Sequence, residues 1–261
     1  MCGRYQRRSD KQKIAEAFRV GNVEDLYLDL APTYNAAPQS MLPVIVWDPA
    51  GGTRMLQMMF WRFLPPLVSD PKAFKLDTIN ARGETLLDSK LWRSGFLQSR
   101  CLVPVDSFIE WKRIDPKTKL PWAFAMKDDS PFALGGVWRH WRAPDGKTEM
   151  DTFAVITTDP NELLADKTGH DRMPVIIKKQ DYQRWLEPSD KEHPPIDLLR
   201  PFDSDQMRAW RLDRRVNNVR NNEPALWEPS TEEDFPEKPK PARAPRPKSK
   251  ANDGGQLDMF S

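Results

Sequence analysis

The sequence predicts an α+β fold: a curved, largely antiparallel sheet or barrel with a few short helices. Three observations lead there. Short apolar runs recur as far as Leu212, with Pro, Gly and Asp turn signals between them. Helical periodicity is confined to brief stretches, and no internal repeat is present. Ten tryptophans point to a substantial aromatic core or stacking surface.

The elements follow in order. Ser9-Asp10 followed by Ile14, Ala15 and Phe18 predicts an N-capped amphipathic helix ending near Gly21. Residues 31–40 (APTYNAAPQS) read as a proline-bounded loop. Runs at 42–47 and 55–60, parted by Pro49-Ala50-Gly51-Gly52, predict a hairpin. Within 78–98 a helical pattern starts near Glu84 and is interrupted near Ser94-Gly95. Strands are predicted at 101–105, 108–111, 122–126, 132–138 and 153–157. Asp159-Pro160 predicts a short helix with proline at its first position. A strand at 173–177, a helix at 181–186 and a last strand at 207–212 complete the domain.

Near Pro229 the composition changes to an acidic start and a Pro/Lys/Arg-rich middle with almost nothing to bury. The chain therefore divides into a domain over 1–228, a disordered linker over 229–255 and a terminal apolar cluster over 256–261. Forty basic against 38 acidic residues give a net charge of only +2, so any nucleic-acid site is a local patch. Cys2 and Cys101, with His140, His170 and His193, make neither a disulfide framework nor a zinc site, so no cofactor or metal is expected. No apolar h-region follows the first charges and no run approaches a membrane span, which predicts a soluble cytoplasmic protein.

Met1-Cys2-Gly3-Arg4-Tyr5 is the stretch with the most distinctive chemistry. Removal of Met1 would leave Cys2 with an amine and a thiol on adjacent carbons. Such a 1,2-aminothiol condenses with an aldehyde to an imine and then closes to a thiazolidine. An α-amine of pKa roughly 7.7–8.0 is partly neutral near pH 7 and can start that reaction. Four further segments set polar groups in apolar surroundings. Asn80, Arg82 and Glu84 stand at a loop-to-helix boundary, where Glu84 suits a first helical turn. Glu110 lies in a strand, on one face with Phe108 and Lys112 and opposite Ile109 and Trp111. Solvent on that face makes it an ordinary strand Glu; an apolar cleft makes it a carboxyl of raised pKa, suited to proton transfer. His170 and Arg172 occupy a Gly/Pro-bounded loop, where functional residues collect. Val216-Asn217-Asn218-Val219-Arg220-Asn221-Asn222 adds amides and another arginine.

Together these stretches resemble the SOS response-associated peptidase family, SRAP, whose members shield abasic sites in single-stranded DNA. MCGRY is similar to the family start, Tyr34-Asn35-Ala36-Ala37-Pro38 to its YN-x-AP loop, and Asn80-Ala81-Arg82-Gly83-Glu84-Thr85 to its NAR-x-ET segment. Arg100-Cys101-Leu102-Val103-Pro104 with Phe108-Ile109-Glu110-Trp111 resembles RCLVP…F/Y-x-EW, and His170-Asp171-Arg172-Met173-Pro174 resembles H-x-RMP. Val216-Asn217 and Asn221 complete the order, over roughly residues 2–227. The resemblance implies an SRAP-like fold and catalytic roles for four residues. Cys2 would form the thiazolidine with the ring-opened abasic sugar and Asn80 would orient the N-terminus. Glu110 would assist proton transfers, and His170 would act on the sugar ring oxygen. It implies DNA contacts for Arg4, Asn35, Pro38, Trp61, Arg82, Trp111 and Arg172. It also implies a monomer whose partner is single-stranded DNA with abasic sites, near the nucleoid or replication fork. The family's WGL-x-P-x-W stretch is here Trp61-Arg62-Phe63-Leu64-Pro65-Pro66-Leu67, so a leucine stands where a second tryptophan would stack a base.

The terminal Gln256-Leu257-Asp258-Met259-Phe260 resembles the QL-x-LF peptide by which bacterial repair proteins dock into the sliding clamp. Gln256 would supply pocket hydrogen bonds, and Leu257, Met259 and Phe260 apolar anchors on a tether. Three other functions fit parts of the sequence: a cysteine peptidase using Cys2, Glu110 and His170, an N-terminal-nucleophile amidotransferase, and an adaptor acting through the clamp motif alone.

Overall fold

A computed structural model describes residues 2–21, 30–71, 73–187 and 192–231. The predicted linker beyond residue 231 and the clamp-motif residues Gln256, Leu257, Met259 and Phe260 lie outside the described residues. The chain opens with β1 (Tyr5–Arg7), α1 (Lys11–Phe18), β2 (Thr33–Ala36), and the hairpin β3 (Met41–Asp48) and β4 (Thr53–Trp61). A short β5 (Asn80–Arg82) and α2 (Arg93–Gln98) precede β6 (Arg100–Val105), β7 (Ser107–Arg113), β8 (Lys119–Met126), β9 (Phe132–Arg142) and β10 (Glu149–Thr158). Then come α3 (Glu162–Thr168), β11 (Met173–Pro174), β12 (Ile176–Ile177), α4 (Tyr182–Leu186) and β13 (Met207–Arg211).

Strands β10, β4, β3, β6 and β9 follow one another, and β9 pairs with β10 again, closing a barrel. The β4–β10 seam is parallel and the others are antiparallel. A second sheet runs β13-β8-β7-β1-β2, antiparallel throughout. Strands β3 and β6 bury both faces, which is why they read as unbroken apolar runs. Val44, Val103, Phe153 and Val155 pack with Tyr5, Phe108 and Phe124 of the second sheet. Their chain neighbours Ile45, Leu102, Ala154 and Ile156 face Ile14 and Phe18 of α1, Phe96 of α2 and Trp185 of α4. This is the expected α+β architecture of barrel, antiparallel sheet and few short helices.

Four local expectations need correction. Helix α1 is capped as expected, the Asp10 carboxylate accepting from the Lys13 amide at 2.8 Å, but it ends at Phe18 where Arg19 turns left-handed. The loop over 31–40 contains strand β2, because Pro32 and Pro38 lie just outside the ladder that Thr33–Ala36 makes with β1. The helical pattern after Glu84 yields a 3-10 turn at Gly83–Thr85 and then α2, which runs through Ser94-Gly95 without a break. A Cβ on Gly95 would stand 3.4 Å from Val137 and 3.6 Å from Phe63, so this glycine lets α2 lie close to the barrel. Helix α3 starts after Pro160, since Asn161 caps it by accepting from the Leu164 amide at 3.0 Å.

Candidate functional site

Strand β1 is held between β2 and β7, with Tyr5 opposite both Ala36 and Phe108. Buried polar groups fix it there. The Gln6 amide donates to the carbonyls of Tyr34 (3.0 Å) and Leu226 (2.9 Å), while Ser107 Oγ donates to Gln6 Oε1 at 2.7 Å. Asp106 accepts from the amides of Arg8 and Ser9, each at 2.8 Å. The Arg4 carbonyl accepts from the Ile109 amide at 3.0 Å. Cys2, two residues upstream, is therefore carried into the core on a rigid support and has no exposure. Burial, reinforced by the charge of Glu110, pushes the Cys2 thiol well above its ordinary range.

Glu110 sits on β7 with the alternation the sequence predicts: Phe108 joins the barrel-side cluster, while Ile109 and Trp111 pack on the opposite face. The cleft reading is the one realised, because Glu110 is only 1% exposed and burial pushes its carboxyl up to about 8. His170 follows α3, whose end is turned by Gly169 at φ 72°. Its Nε2 lies 3.6 Å from Glu110 Oε2 and 3.1 Å from the Trp111 carbonyl. A carbonyl only accepts, so Nε2 carries the proton and Nδ1 holds the lone pair. Burial lowers the His170 pKa, which keeps the ring neutral. Asn80 enters from β5, laid parallel along β10 with Asn80 beside Val155. Its Nδ2 donates to the Val155 carbonyl at 3.4 Å, and its buried Oδ1 has no partner among the described residues. Ile79, the neighbour of Asn80, stands 3.8 Å from where a Cβ on Gly3 would lie. Cys2, Glu110, His170 and Asn80 thus come from four separate stretches of chain to one region.

The residues expected at DNA divide. Arg4 is buried; its guanidinium donates to Asn35 Oδ1 and to the Val216 carbonyl (2.9 Å) and lies 5.5 Å from the centre of the Trp111 ring. Asn35 in turn donates to the carbonyls of Val216, Asn218 and Asn221, and Trp111 donates to Asn217 Oδ1 at 2.6 Å. Arg172 is buried as well, paired with both carboxylate oxygens of Glu84 and donating to the Thr157 carbonyl at 2.6 Å. Trp61 must be withdrawn as a base-stacking residue. It has no exposure, donates its indole N–H to the Ile79 carbonyl at 3.0 Å and stacks on Phe153. Arg82 is exposed, and Pro38 is half-buried in a turn completed by Gln39 at φ 66°. Leu67 is 92% exposed. A cleft of about 380 Å³ opens beside Glu110, Trp111 and His170, and Arg113 and Lys119 also line it. Those two cations were missed; the run Lys112-Arg113-Ile114-Asp115-Pro116-Lys117-Thr118-Lys119 carried the signal in its density of charge.

A thiol, joined on removal of Met1 by an adjacent amine, beside a carboxylic acid and a neutral imidazole can condense with a carbonyl and move the protons that step requires. Comparison with known proteins bears on which carbonyl. The family model for SOS response associated peptidase (SRAP) matches residues 1–219. The abasic site processing protein YoqW of Bacillus subtilis is 38% identical over 233 residues, 87% of this chain and 99% of that one. The abasic site processing protein HMCES of Pongo abelii is 28% identical over 263 residues, covering 86% of this chain and 71% of its own. A crystal structure of a Bacteroides thetaiotaomicron protein superimposes with a TM-score of 0.74 at 24% identity, covering 88% of this chain and all of that one.

Proposed function

The chain belongs to the SOS response associated peptidase family, and on that footing we propose that it processes abasic sites in single-stranded DNA by trapping their aldehyde covalently on Cys2. Hydrolysis of the Met1–Cys2 bond, autoproteolytic or by an aminopeptidase, consumes one water and frees the Cys2 amine. That amine adds to the aldehyde carbon of the ring-opened sugar to give a carbinolamine, which loses water to the imine. Cys2 Sγ then adds to the imine carbon, its proton passes to nitrogen, and a thiazolidine closes without any oxidant or reductant.

The neighbouring groups suit these steps. Glu110, still protonated at neutral pH, gives its proton to the departing hydroxyl, takes one back from nitrogen as the imine forms, and then passes a proton to that nitrogen while receiving the thiol proton. Neutral His170 moves the anomeric hydroxyl proton to the ring oxygen and so opens the sugar. Asn80 Oδ1 accepts from the new amine. Arg4, Asn35 and Arg172 act by positioning: the first two pin β1 against the loop at Val216–Asn221, and Arg172 ties the Glu84 turn to β10. Arg82, Pro38 and Trp111 are left to meet the strand itself.

The observation that carries the reading is Glu110, a carboxyl 1% exposed and 3.6 Å from His170, in a core that also holds Cys2. Intact-mass measurement with and without abasic single-stranded DNA tests it. The expected result is loss of Met1 and a covalent adduct; no adduct with the unaltered protein, or an adduct surviving Cys2→Ala, overturns it. Gln256, Leu257, Met259 and Phe260 would recruit the enzyme to a bacterial sliding clamp. Deleting 256–261 should then abolish binding to purified clamp, and undiminished binding would refute that role.

A further inference from the structure

The phosphates of the DNA strand need cations, and two of those the sequence nominated are already committed. Arg4 is held by Asn35 and Val216, and Arg172 by Glu84 and Thr157. Arg113 and Lys119 are different. They are exposed, and neither forms an ion pair or side-chain hydrogen bond with any described residue. They stand directly opposite each other in the register of β7 and β8, on the two strands that make the hairpin. Like charges directly opposite across a sheet repel and weaken the pairing. An anion between them turns that repulsion into attraction.

Their position says which anion. Both line the cleft that Glu110 and His170 also line, where the sugar would lie. A group bound beside that sugar is the phosphodiester covalently attached to it. The planar fork of Arg113 and the point charge of Lys119 are complementary donors for one phosphate. We propose that Arg113 and Lys119 form a phosphate subsite that grips one backbone phosphate of the strand next to the abasic sugar. This inference rests on the abasic-site reading above. It has a chemical consequence: burial and then the positive N-terminus do most to lower the His170 proton affinity, and the field of Arg113 adds a smaller push the same way. A bound phosphate cancels that field, so the imidazole becomes a better base when the strand is in place.

Non-covalent binding tests the subsite apart from the chemistry. Single-stranded DNA is titrated into the Cys2→Ala protein at several salt concentrations, with and without Arg113→Gln/Lys119→Gln. Loss of one phosphate contact lowers the slope of log affinity against log salt by about 0.7 for a single strand. Lys119→Arg should preserve the slope. A scan with single neutral methylphosphonates should then find one position beside the lesion that weakens binding to Cys2→Ala protein and has no effect on the triple variant. An unchanged slope, equal sensitivity of both proteins at every position, or no DNA binding at all overturns the subsite. Failure of the unaltered protein to form an adduct, with these binding results intact, counts against the covalent reading alone. The double substitution removes a like-charge pair from an exposed hairpin, so its melting temperature should not fall.

Discussion

Cys2 and Cys101 are both completely buried, and burial pushes both thiols far above the ordinary range. By those two measures they are the same residue. Their neighbourhoods differ. Cys101 lies in mid-strand on β6 opposite Gly136, where a Cβ would come within 2.9 Å of its sulfur. Burial alone accounts for its raised pKa. Cys2 stands before the first strand, and Glu110 adds to the effect of burial there. Depth and pKa therefore do not distinguish the two cysteines; the neighbouring carboxyl of Glu110 does. The same contrast separates the candidate chemistries. A peptidase attacking peptide bonds needs thiolate, which raised thiol pKa values disfavour. An aldehyde trap begins with the amine and needs the sulfur only after an imine exists.

The largest effect should belong to Cys2→Ala, which on the proposed mechanism should remove the adduct outright. Next is Glu110→Gln, which should slow adduct formation by about 1,000-fold, within the range for a positioned proton donor. In the unaltered protein the rate should fall as pH rises through about 8, where Glu110 loses its proton, and the variant should lack that limb. Stability should also fall as pH rises, over a lower range. The carboxyl ionises near its ordinary value of 4.5 when unfolded but near 8 when folded. Between those values the unfolded chain releases a proton that the folded chain keeps, so folding becomes less favourable as pH rises. Glu110→Gln removes this slope and should gain stability over the unaltered protein between pH 5 and 8. Parallel denaturation curves for the two proteins at both pH values would contradict the assignment.

Strands with strong alternation were legible in advance. At Phe108–Trp111 the period of two alone sorted Glu110 from its neighbours, and β3 and β4 fell close to their expected ends, while β9 runs four residues past its own. Strand β2 was hidden because its flanking prolines dominate the local pattern. The fate of the arginines was not legible at all. Asn35 is 31 residues from Arg4, and Glu84 is 88 from Arg172, so only the folded chain reveals that these guanidiniums are engaged. Trp61 failed for a related reason. A tryptophan that stacks on a base and one that stacks on Phe153 look alike in a sequence. Arg113 and Lys119 could not be paired until the register of the β7–β8 hairpin set them face to face.

Cys101→Ala should have the smallest effect and is the sharper control. Its side chain belongs to the buried apolar cluster, and its carbonyl, which accepts the Trp185 indole N–H at 2.9 Å, is backbone and survives the change. The cost should be roughly 1 kcal/mol of stability, the ordinary size for a small loss of core volume. Cys101→Ser should cost more, since a buried hydroxyl in that apolar setting lacks a partner to repay its desolvation. Neither change should alter the rate or yield of the adduct, which mass spectrometry reads directly. If Cys101→Ala reduced the adduct as Cys2→Ala does, the two buried thiols would be functionally coupled. The amine of Cys2 would then not be sufficient to start the reaction, and the distinction between the two cysteines would collapse.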